Sequence, residues 1–139
     1  MMEYRLSRKY SRWERLYCDE MEVDGKTIKE CDWRFVDITD VPLNYLLNEW
    51  ECLLIELSRK EVDLAQTKEM YNAKEFEIVY MSDIDFKALY GSTSEKVRKQ
   101  HASNELKQLK DKQNDLELSI QWIKSYLPFL REAIRLKGE

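Results

Sequence analysis

"ELKQLKDKQNDLELSIQWIKSYLPFLREAI", residues 105 to 134, sets the fold class. Leu106, Leu109, Gln113, Leu116, Ile120, Ile123, Leu127, Leu130 and Ile134 follow one another at alternating spacings of 3 and 4. That is an a/d heptad ladder, which winds one apolar seam along a helix. Gln113 is its single polar rung, a residue type that fixes register at some cost in stability. Ser92 followed by Glu95 fits a capping box, and Gly138 suits a helix end. The pattern predicts one helix over 93–137, ~65 Å long at the α-helical rise.

Working outward, the preceding segment has the same character. Asp40 can cap a helix and Pro42 suits its first turn. An apolar stripe follows through Leu43, Leu46, Leu47, Trp50, Leu53, Leu54, Leu57, Leu64, Tyr71 and Ile78. The expectation is a first long helix over 41–82. "FEIVYM" (76–81) has strand propensity, but its place after a long helical pattern makes it the helix end. "SDIDFKALYG" (82–91) reads as a short helix capped by Ser82 and closed by Gly91, with Phe86 and Leu89 facing inward. The bend is expected over 83–92.

Residues 42–82 carry four more acids than bases, and residues 91–139 carry three more bases than acids. Opposite signs favour pairing of the two segments. The expected fold is mainly α: a long, coiled-coil-like antiparallel helical hairpin. A small N-terminal helix and a β-hairpin, residues 1–40, pack at its open end, and the whole forms a single domain over 1–139. The arm's helix rests on Leu6, Tyr10, Trp13 and Tyr17, spaced 4, 3 and 4, and its hairpin on the Asp24-Gly25 turn. A second stripe on the last helix, Leu118, Trp122, Tyr126, Phe129 and Ala133, needs covering by that arm or by a partner. Pro128 should kink this helix.

Composition narrows function. With 3 glycines in 139 residues, phosphate-cradling loops have little to be built from, and no GxGxxG, P-loop, nucleophile elbow or HExxH stands in the chain. His101 is the only histidine, so a histidine-based zinc cluster is excluded. Asp83 and Asp85 have a DxD spacing, but at a helix start acids complement the dipole. The expectation is no enzyme activity, no cofactor and no metal. Cys18, Cys31 and Cys52 are odd in number and lack a CxxC pair, which predicts reduced thiols and a cytoplasmic protein. No apolar leader and no membrane-length run is present.

"DFKALYGSTSEKVRKQH" (85–101), followed by the heptad segment, resembles a group of phage and prophage proteins. These are small helical proteins of unknown function encoded in the early, recombination or replication, gene clusters of phages of Gram-positive bacteria. The resemblance covers roughly residues 43–136. The expected function is that of a non-enzymatic interaction protein whose helical hairpin binds a protein partner. In the phage setting the resemblance implies, that partner would be a host or phage protein of DNA metabolism or host defence. The surface expected for that partner is Trp122, Tyr126 and Phe129, with Tyr90 at the bend. The alternative is an accessory single-strand nucleic-acid binder, effective at low salt. It would use two basic clusters: Arg5, Arg8 and Arg12 with neighbouring aromatics, and Lys96, Arg98 and Lys99. The heptads can be satisfied within one chain or in a homodimer, and no membrane is expected as a partner.

Overall fold

A computed structural model describes residues 3–91 and 94–138. The element order is β1 (Tyr4–Ser7), β2 (Arg12–Val23), β3 (Lys26–Val36), a 3₁₀ turn (Ile38–Asp40), α1 (Leu43–Val79), α2 (Asp83–Tyr90), α3 (Glu95–Glu105) and α4 (Lys107–Gly138). The chain divides into two compact units, residues 1–54 with 125–139, and residues 55–124. Among the described residues, no helix is long and apolar enough to cross a membrane.

The long helical hairpin with an N-terminal helix is not the architecture found. The arm holds a three-stranded antiparallel sheet, ordered β1-β2-β3, with no α-helix among the described residues. Leu6 and Trp13 suggested one helix face, but they are cross-strand partners. Ser11, at φ 49°, takes the left-handed conformation in the turn that joins their strands. A two-stranded ribbon is marginal alone, and β1 supplies the third strand. The second long segment is likewise two helices, separated at Leu106 (φ −96°, ψ 11°). The Ser92 half of the expected capping box lies outside the described residues. Ser94 stands at the N-cap of α3 without a side-chain cap bond.

In the first unit the sheet's register explains what is buried. β2 and β3 pair continuously from Trp13↔Val36 to Val23↔Lys26, without a bulge. Asp24 (φ 54°) and Gly25 (φ 76°) form the turn, both with the positive φ that a two-residue hairpin requires. Alternation puts Tyr4, Leu6, Trp13, Arg15, Arg34 and Val36 on one face. That face meets helical side chains: Trp13 is 3% exposed, and the Tyr4 and Tyr45 rings lie 5.2 Å apart. Val41, Leu46, Leu53, Tyr126 and Leu130 are the other buried hydrophobic residues of this unit.

In the second unit, Ile78, Phe86, Ala102 and Leu106 form a buried cluster, flanked by Tyr71, Val97 and Leu109. The heptad rungs here are buried or half-buried, Gln113 included. Ser82 caps α2 by accepting from the Asp85 N–H at 3.3 Å, and Gly91 closes it at φ 75°. Leu89, expected inside, is instead exposed, so among the described side chains of α2 only Phe86 enters this core. Lys60 donates to Ser119 and pairs with Glu56 at 3.0 Å. Lys68–Glu117 and Lys124–Glu61 add ion pairs at 3.5 and 3.3 Å.

Candidate functional site

The outer face of the sheet carries residues of the other parity: Arg5, Arg12, Glu14, Leu16, Cys18, Cys31, Trp33 and Phe35. Glu14 is only 5% exposed although it lies on this face, because two arginines close over it. Arg5 Nε donates to Glu14 Oε1 at 3.0 Å, and Arg12 Nη2 lies 3.6 Å from Oε2. The same guanidiniums stack on aromatic rings, Arg5 over Trp33 at 4.2 Å and Arg12 over Tyr10 at 4.8 Å. Phe35 is 5.7 Å from Arg12. Buried carboxylate and flat rings together hold both arginines in fixed planes.

At the end of the sheet this face runs into two clefts. One, of about 150 Å³, is lined by Arg12, Phe35, Val36, Ile38, Tyr126 and Phe129 among others. The second, of about 320 Å³, is lined by Ile38, Phe129, Ala133 and Leu136 with Glu132 and Lys137 at its edge. Ile38 and Phe129 belong to both, so the two make one apolar groove. Asp37 fixes the turn that carries Ile38. Its carboxylate accepts from the Thr39 N–H at 2.9 Å and the Thr39 hydroxyl at 2.7 Å, and these bonds hold it below the usual carboxylate range.

The second stripe of α4 therefore has no single fate. Tyr126 is buried, accepts a hydrogen bond from Trp13 Nε1 at 2.9 Å, and burial pushes its phenol up to about 12. Phe129, one turn on, remains 56% exposed although its ring is 5.7 Å from that of Tyr126. Trp122 is half-buried and Leu118 exposed, both in the other unit. The side chain of Tyr90 lies outside the described part.

In the basic cluster near residue 98, only Arg98 is turned away from solvent. Arg98 is 5% exposed and stacks 4.3 Å over Phe86. It donates to the carbonyls of Val79 and Met81 and to Asp83. A cation there satisfies orphan carbonyls at the end of α1 and complements the helix dipole. Lys99 is exposed and pairs with Glu95 at 3.3 Å, and Lys96 is exposed. His101 is half-buried with its ring 6.2 Å from Phe86. Asp83 and Asp85 bind Arg98 and the Ser82 hydroxyl respectively.

Cys18 and Cys31 are disulfide-bonded across the β2–β3 pair, which corrects the expectation of reduced thiols. The strand register, not CxxC spacing, brings them together. Cys52 is a free, exposed thiol. Among the described residues no group of acidic, histidine or cysteine side chains could hold a metal.

No family model, no curated protein and no solved structure matches this chain.

Proposed function

We propose that the chain is a non-enzymatic interaction protein whose partner is another protein, held in the Phe129 groove of the first unit. One observation carries this reading. Phe129 lines both clefts and is exposed, while Tyr126 behind it is buried and hydrogen-bonded. Phe35 at 61%, Tyr10 at 57% and Leu136 at 55% exposure extend the apolar surface, and Arg12 stands at its rim. Aromatic anchors beside arginine form the composition in which binding energy concentrates. The phage and prophage resemblance supplies the proposed setting, a host or phage protein of DNA metabolism or defence.

The Arg5–Trp33 and Arg12–Tyr10 stacks favour a second reading, single-strand nucleic-acid binding on the outer sheet face. It ranks lower because both arginines already share Glu14 and Arg98 serves the fold.

Affinity capture with the full chain tests the ranking. The parent and Leu118→Glu, a change at an exposed site in the other unit, should recover the same protein, and Phe129→Glu should lose it. Equal recovery by Phe129→Glu overturns the groove reading. Sub-micromolar oligonucleotide binding at ~150 mM salt, with a log–log salt slope of about −0.7 per phosphate contacted and abolished by Arg5→Ala with Arg12→Ala, would promote the second reading.

A further inference from the structure

We propose that the outer edge of β3 takes an extended segment of a different protein as an added strand that runs into the Phe129 groove. This rests on the reading of that groove as the partner site.

The backbone of β3 is open along its length. Sheet order is β1-β2-β3, so no strand among the described residues pairs with its outer side. Which amides face outward follows from one hydrogen bond. The N–H of Leu16 donates to the Glu3 carbonyl at 2.9 Å, on the β1 side, away from β3. Leu16 and its partner Trp33 are therefore a non-hydrogen-bonded pair of the β2–β3 ladder. Residues of the same parity, Thr27, Lys29, Cys31, Trp33 and Phe35, must also direct N–H and C=O to the free edge. Ile28, Glu30, Asp32 and Arg34 spend theirs on β2. The closing pair at the two-residue turn, Val23↔Lys26, has the parity this demands.

Natural edges are blunted by proline, bulges, charged side chains or a covering element. β3 has no proline and pairs without a bulge. Its charges instead discriminate among partners. Antiparallel neighbours share a sheet face, so two copies of β3 pairing about a twofold axis must oppose residues of equal parity. Full overlap, Lys26 opposite Val36, sets Glu30 against Asp32 on both sides of the axis. A shift of two residues one way sets Glu30 against Glu30 and Lys26 against Arg34, and the other way it sets Asp32 against Asp32 at the axis, with Glu30 against Arg34 beside it. Like charges directly opposed are unfavourable, so the second copy is a poor occupant and a different chain fits. Arg34 is already paired with Asp32 at 2.9 Å, so the chemistry that follows is a basic side chain beside Glu30 and an apolar one where the edge ends. There Phe35, Val36, Ile38 and Phe129 line the same cleft.

The probe is a displayed random peptide library of strand length, selected on the full chain, with amide exchange read by NMR. In the free chain the amides of Thr27, Lys29, Cys31, Trp33 and Phe35 should exchange quickly, and those of Ile28, Glu30, Asp32 and Arg34 slowly. A selected peptide should slow the first set about tenfold or more, and Lys29→Pro, which removes an outward donor, should weaken it about tenfold while Lys29→Ala does not. Retained slow exchange at Ile28 and Arg34 in Lys29→Pro shows that the ribbon still stands. The proposal is overturned if no selected peptide slows the outward set, or if Lys29→Pro binds as the parent does. Peptides that need Phe129 yet leave those amides fast would keep the groove reading and sink the edge. Slowed amides with binding indifferent to Phe129→Glu would do the reverse.

Discussion

The indole N–H of Trp13 donates to the phenol oxygen of Tyr126 at 2.9 Å, across 113 residues of sequence. Trp13 is 3% and Tyr126 6% exposed, so this bond sits in the interior where the inner sheet face meets the end of α4. Trp13→Ala should lower unfolding free energy by about 3–5 kcal/mol, through lost burial and an orphaned hydroxyl. Tyr126→Phe should cost about 1–3 kcal/mol, because the Trp13 donor loses its acceptor with little change of shape. Chemical denaturation of both variants measures this. A neutral Tyr126→Phe would mean that the bond adds nothing.

The same phenol predicts a pH effect. Burial raises Tyr126 in the fold to about 12, above the ordinary tyrosine value of about 10. A raised value favours the protonated form in the native state. Its contribution is complete below pH ~10 and is lost as pH rises from there through about 12. Denaturation midpoints should fall over that window more steeply for the parent than for Tyr126→Phe. Parallel curves would refute the assignment.

Arg98→Ala should destabilise the second unit by about 3 kcal/mol. The Val79 and Met81 carbonyls lose a charged donor, and Phe86 loses the cation above it. Hydrogen exchange should quicken around residues 78–86 before it does in the β2–β3 ribbon. Lys99→Ala, which removes an exposed ion pair, should stay within about 0.5 kcal/mol of the parent.

Thiol counting checks the ribbon. The native chain should react at Cys52 alone, and all three cysteines should react after reduction. Loss of a bridge across so short a loop should cost roughly 2–4 kcal/mol. Most of that should appear as faster exchange over residues 19–30, whose side chains are exposed. Three reactive thiols without reductant would contradict the pairing.

The sequence was legible where one period decides burial. The ladder from Leu106 to Ile134 is buried or half-buried at each rung because only a helix satisfies alternating 3 and 4 spacing over such a length. Asp24-Gly25 was legible because its turn needs positive φ at both positions. Leu6 and Trp13 were not: seven residues return to one helix face, and equally to opposed positions across a four-residue turn. Register is set by the whole sheet, so the closure of Arg5 and Arg12 over Glu14 had no local signature. Phe129 was visible as a member of the second stripe. Phe35 and Ile38, which complete its groove, come from segments whose only shared signal is three-dimensional.

The Cys18–Cys31 bond also bears on how the ribbon is assembled. A slip of one residue in β2 against β3 would set Cys18 opposite Glu30 or Asp32 and turn Cys31 to the other face of the sheet. Sulfurs on opposite faces cannot join. Oxidation is therefore selective for chains already aligned, and once made it forbids the slip that would turn β3 over, bringing Trp33 and Phe35 inward and pushing Val36 out. The bridge works as a proofreading step for the face on which the groove depends.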